Sequence, residues 1–200
     1  LAAIDARGTL TFMQRAPVAD ASTFVWSDFM RLAEDDGREL IDGRFLEIEM
    51  PTKLHEWIVS VLVRLLGNWA ASHGGMALSS GYKVRITETR GVMPDVQFLR
   101  KGNIAEHGPQ GMAGGRPDLV VEVISTTSRS HDRVVKLGWY ASIGVPEYWI
   151  VDPEAKTLEQ LTLENDRYVV AHALADAGQF APSSFPGLEI DLAVMWTMPE

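Results

Sequence analysis

Between Pro117-Asp118 and Ser125 the chain runs Leu-Val-Val-Glu-Val-Ile, a strand that is apolar on both faces except for one carboxylate, Glu122. A strand of that kind belongs at the centre of a sheet covered on both sides, which points to an α/β fold. An ionised Glu in such a place is costly unless it is paired or holds a metal. A second apolar strand opens at Met93-Pro94-Asp95-Val96 and brings another carboxylate. Two carboxylates on neighbouring strands suit a divalent cation. Mg²⁺ takes one or two of them and fills its other positions with water and substrate phosphate. Metal-assisted hydrolysis of a phosphodiester is the chemistry suggested.

The flanking pattern agrees with this core. Asp42-Gly43 is the two-residue turn that closes a hairpin between residues 39–41 and 44–50. Ile58, Val61, Leu62, Leu65, Leu66 and Trp69 recur at three and four residues, which predicts a long helix ended by Gly74-Gly75. A short helix is expected over 27–34, capped by Ser27. A strand around Val84 and Ile86 should turn at Arg90-Gly91 and return over 92–99. Residues 100–116, with five glycines, read as a long loop bordering the site. A helix over 130–143, a strand over 147–151, a hairpin over 158–171 and a packed tail complete the chain. Residues 1–22 are expected as a loosely ordered lead-in and 23–200 as one domain.

Net charge is −9 and cysteine is absent. The first argues against strong non-specific binding to phosphate backbones, leaving a locally basic cleft as the way to hold nucleic acid. The second rules out disulfides and thiolate metal sites. No apolar run approaches a membrane span and the N-terminus lacks the form of a secretion signal, so the cytoplasm is the expected compartment.

Taken in order, Glu39-Leu40-Ile41-Asp42-Gly43, the His55 helix, Met93-Pro94-Asp95-Val96, residues 117–125, residues 132–136 and residues 144–153 (Gly-Val-Pro-Glu-Tyr-Trp-Ile-Val-Asp-Pro) resemble the PD-(D/E)XK nuclease superfamily. Within it, the closest likeness is to restriction endonucleases of the Uma-two type. The resemblance spans residues 24–191. It implies a restriction-endonuclease-like core, a mixed central β-sheet flanked by helices, with Mg²⁺ (or Mn²⁺ in its place) as cofactor, DNA as substrate and a homodimer as the assembly.

Geometry selects among the acids. Asp118 and Glu122 lie four residues apart on one strand, roughly 13 Å, too far to share an ion directly. Asp95 can stand beside Glu122 at a ladder spacing of about 4.8 Å, so Asp95 and Glu122 are the expected metal ligands and Asp118 a cap at the strand's start. The superfamily usually carries Lys two residues after the acid; here Ile124 stands there. The resemblance offers Lys136, on the next helix, as the substitute, sharing a face with Asp132 and Tyr140. An ordinary Asp132–Lys136 helix pair, or a structural pair of Glu122 with Arg133 or Lys136, is the plainer alternative. Glu39 and His55 match further family positions and support the site, although Glu39 could equally neutralise Arg38 or Arg44. Gln97, on the face of Asp95, is a second group able to contact the attacking water. A catalytically silent nuclease fold, binding DNA or protein, is the alternative function. On these expectations Lys136→Ala leaves folding intact.

Overall fold

The computed structural model describes residues 23–33, 35–47, 50–103, 106–125 and 133–199, with backbone alone for 2–4, 10–12, 131 and 132. The expected lead-in falls outside the described residues except for strands β1 (Ala2–Ile4) and β2 (Leu10–Phe12), which pair antiparallel.

Two six-stranded sheets carry the fold. One contains β3 (Arg38–Ile41), β4 (Arg44–Glu47), β6 (Lys83–Thr87), β7 (Arg90–Val92), β9 (Glu106–His107) and β10 (Gly111–Gly114), in the order β4-β3-β7-β6-β10-β9. The other contains β5 (Met76–Ser79), β8 (Val96–Leu99), β11 (Leu119–Val123), β12 (Glu147–Asp152), β13 (Thr157–Glu164) and β14 (Arg167–Ala175), in the order β14-β13-β12-β11-β8-β5. Both are mixed: β11 runs parallel to β12 and β10 to β6, and the other pairs are antiparallel.

The apolar run around Glu122 lies inside the second sheet, flanked by β8 and β12, as its two apolar faces require. Leu119, Val121 and Val123 face helix α2 (Lys53–His73), whose Ile58, Leu62 and Leu66 are fully buried against them. The C-terminal return joins that face through β15 (Gln179–Phe180), β16 (Ile190–Asp191) and helix α4 (Leu192–Trp196). Val120 and Ile124 face the opposite side, where they meet Trp139 and Tyr140 of helix α3 (Leu137–Ser142) and Val84, Ile86 and Val92 of the first sheet. The result is the expected α/β arrangement of mixed sheets flanked by helices.

Local chemistry explains the ends of these elements. Asp42 (φ 48°) and Gly43 (φ 75°) both take the left-handed region that the β3–β4 hairpin turn demands. Thr52 caps α2 by accepting from the His55 amide at 3.2 Å.

Several expectations are corrected. The first helix, α1, is a short Trp26–Phe29, and Asp28, not Ser27, satisfies its start by accepting from the Val25 amide at 3.0 Å. The turn before β7 is at Glu88-Thr89, and Gly91 is a buried strand residue. A side chain there has no room, because a Cβ would lie 2.6 Å from the Phe29 ring. Gly91→Ala is expected to cost about 1–3 kcal/mol by overpacking α1 against β7, measurable by chemical denaturation. Residues 100–116 are not one long loop: β9 and β10 lie within them, and β10 pairs with β6. The return over 92–99 is broken at Met93-Pro94-Asp95, where the chain leaves one sheet and enters the other. A strand-length apolar run cannot reveal that break, since both halves are buried. The helix after β11 begins as a π-helical turn, His131–Lys136, before α3, and Ser130 lies outside the described residues.

Candidate active site

The centre lies at the seam of the two sheets. The β8–β11 register ends on Val96↔Val121, so Asp95 and Glu122 are the next residues outward at the sheet's end. Glu122 alternates with Val121 and Val123 and therefore points away from α2, to the α3 side. There its Oε1 accepts from Lys136 Nζ at 3.1 Å and from the Tyr140 hydroxyl at 2.5 Å. Lys136 Nζ also lies 3.3 Å from Glu39 Oε1, which accepts the Met93 amide at 2.9 Å. Glu39, Glu122 and Lys136 are 3%, 2% and 5% exposed, so this is a buried charge cluster of two acids around one ammonium. A hydroxyl inside it, Tyr140, has its ionisation pushed well up by burial and then by the negative charge of Glu122.

Asp95 is held differently. Its Oδ2 accepts the Val123 amide at 2.8 Å and lies 3.2 Å from His55 Nε2. His55 belongs to the first turn of α2, so Asp95 is tied toward the helix on the other side of the sheet from Lys136. Burial pushes the His55 pKa down, but the Asp95 hydrogen bond and charge outweigh it and leave the pKa above its ordinary 6.5. The sign follows directly: a group whose pKa rises on folding adds stability that is full below its unfolded pKa and vanishes as pH climbs through the folded one. His55→Gln should therefore cost more stability at pH 5.5 than at pH 8.5, and parallel denaturation curves at the two values are the check.

The other expected residues can now be placed. Asp118 Oδ2 accepts the Arg100 amide and the Asn103 side chain, each at 2.7 Å, and ties down the junction before β11. Gln97 stands opposite Val120, two residues along β11 from Glu122 and on the same face. It is fully buried, its Nε2 donates to the Tyr82 carbonyl at 2.8 Å, and its Oε1 has no donor among the described residues. Ile124 packs in the core on the Glu122 face, where a lysine of the usual spacing would stand. Arg38 pairs with Asp36 and Arg133 with Glu159 at 2.6 Å, so neither is the partner of Glu39 or Glu122 in this structure. The side chain of Asp132 lies outside the described residues. Tyr140 is the member the sequence pattern left without a role. Its spacing of four from Lys136 was the available signal.

The donors that could receive a metal are oxygens, as a hard cation requires, and two carboxylates with added water are within the habit of Mg²⁺. Among the described residues no group of three or more His, Asp or Glu is arranged to hold an ion. Asp95, tied to His55, and Glu122, tied to Lys136, are the two carboxylates nearest the β8–β11 end that a hydrated cation would use. They do not form a closed protein cage.

The profile of the Uma2 family, described as "Putative restriction endonuclease", matches residues 26–194. No curated protein matches the chain. A crystal structure of a putative nuclease belonging to DUF820 from Anabaena variabilis superposes with a TM-score of 0.70 at 16% identity, covering 87% of this chain and 99% of that one. At that identity the likeness speaks for the fold, a restriction-endonuclease-like core. The family match spans most of the chain and includes every residue of the buried cluster, so this protein belongs to the Uma2 family.

Proposed function

We propose that the protein is a metal-dependent endonuclease that hydrolyses phosphodiester bonds of DNA. The observation that carries the reading is the Lys136 ammonium, which a different element delivers to Glu122 although Ile124 occupies the usual lysine position. An ammonium there can orient water and offset charge growing on a phosphate. Asp95 and Glu122 would hold Mg²⁺, which would supply an activated water and a counter-charge. Glu39 would keep Lys136 in place, His55 would fix the Asp95 carboxylate, and the unpartnered Gln97 Oε1 is the kind of buried atom that takes an ordered water. A duplex presents two strands, which makes a homodimer the expected assembly. No helix among the described residues is long and apolar enough to cross a membrane.

A second reading, a nuclease fold that binds nucleic acid or protein without cutting, is favoured by two observations. The two carboxylates are held by partners on different sides of the sheet, and Glu122 and Lys136 are only 2% and 5% exposed. The binding reading requires no rearrangement of the centre. The hydrolytic reading requires a phosphate to reach Glu122 and Lys136.

Plasmid nicking in Mg²⁺, Mn²⁺ and EDTA separates the two. Cleavage that needs the metal and falls about a hundredfold or more in Glu122→Gln and Asp95→Asn is the expected result, the scale of losing one preorganised electrostatic group. Binding without cleavage in every metal, by wild type and variants alike, overturns hydrolysis and leaves the binding module.

A further inference from the structure

We infer that Tyr140 is a positioning residue of this centre, holding Glu122 so that Lys136 is shared between two carboxylates rather than captured by one. The inference rests on the proposed active site. Three distances carry it. The Tyr140 hydroxyl donates to Glu122 Oε1 at 2.5 Å, a short bond, whereas Lys136 Nζ stands 3.1 Å from that same oxygen and 3.3 Å from Glu39 Oε1. Charge-assisted ammonium–carboxylate bonds commonly close to about 2.7–2.9 Å. Lys136 is thus drawn tight to neither of these two acids, although all three groups are buried.

Tyr140 is well placed to cause this. It sits on α3 four residues after Lys136, the last residue of the π-helical turn that runs into α3, so both side chains reach one oxygen from one continuous helical segment. Its ring is locked against Tyr148 at 5.2 Å between centroids, and Tyr148 against Tyr168 at 5.8 Å. Tyr168 is anchored in turn by its hydroxyl to the Val145 carbonyl at 2.8 Å. The row of rings gives the hydroxyl a fixed origin. A donor with a fixed origin sets where the carboxylate rests, and groups that orient charged site residues in this way are commonly worth ten- to a hundredfold in activity.

Tyr140→Phe removes the hydroxyl and keeps the ring. The lysine should then close onto Glu122. The experiment follows the ammonium directly, with ¹⁵N-labelled lysine and the Lys136 resonance identified by its loss in Lys136→Arg. A changed resonance in Tyr140→Phe, with kcat for nicking down about ten- to a hundredfold and KM for DNA unchanged, is expected. Incorporation of 3-fluorotyrosine, which strengthens the hydroxyl as a donor and preserves shape, should move the resonance in the opposite direction and covers the case in which Tyr140→Phe fails to fold. An unmoved Lys136 resonance in either form overturns the inference, even if the protein cuts DNA. A moved resonance in a protein that never cuts DNA upholds Tyr140 as the positioning residue and defeats the endonuclease reading instead.

Discussion

Lys136→Ala should lower the free energy of unfolding by about 3–5 kcal/mol at neutral pH, the cost of stripping a buried charge cluster of one partner. This corrects the sequence-based expectation that the substitution leaves folding intact. A lysine on a solvated helix face could be removed at little cost. Lys136 is 5% exposed, and its ammonium is the cation between Glu39 and Glu122. Truncation would leave two buried carboxylates facing each other across a gap. The control is charge removal on both sides. Lys136→Met combined with Glu39→Gln and Glu122→Gln should recover much of the lost stability, because a buried ion network replaced as a unit by neutral groups is often near neutral. Urea denaturation of the single and triple variants decides it. A triple variant no more stable than Lys136→Ala would mean that packing of the lysine stem, not charge balance, carries the effect.

Trp149→Ala is expected to cost about 3–5 kcal/mol, the range for emptying a fully buried large aromatic site. Trp149 stands in the middle of β12 on the α2 side, with its ring 4.9 Å from Phe180 and 5.9 Å from Phe185 between centroids. Its indole N–H donates to Glu147 at 2.6 Å, so the substitution also removes a donor from a buried carboxylate. Gln160 still donates to the same oxygen at 2.7 Å, which limits that part of the loss. The damage should spread to the C-terminal return, since Phe180 and Phe185 would lose the surface they pack on. Limited proteolysis should show earlier cutting within residues 176–196 than in wild type. Trp149→Phe, which keeps most of the ring volume, should cost markedly less.

The central strand, the long helix and the hairpins were legible because each follows one dominant rule. Period two or continuous burial marks a strand, period 3.6 a helix, and Asp42-Gly43 a tight turn. What escaped depends on long-range partners. Nothing local distinguishes a strand that continues from one that changes sheets, and residues 92–99 do the second. β10 hides in a glycine-rich stretch because glycines let it approach β6 closely: a Cβ at Gly111 would lie 2.7 Å from the Lys83 carbonyl. In the site, a buried acid needs a cation, which left Arg133 and Lys136 as the candidates for Glu122, and the structure places Lys136 there. Its simultaneous contact with Glu39 joins residues 97 positions apart, and the tie of Asp95 to His55 joins residues 40 apart. No spacing rule reaches that far.

The handover at Met93-Pro94-Asp95 leaves two backbone amides, those of Met93 and Val123, bonded to carboxylates rather than to strand neighbours. Each is therefore a built-in reporter, the Met93 amide for Glu39 and the Val123 amide for Asp95. In a proton–nitrogen spectrum, a cation drawn to Asp95 would move the Val123 signal first. An event that disturbs Lys136 and Glu39 would move that of Met93. The two halves of the centre can thus be watched independently in one spectrum of the untouched protein.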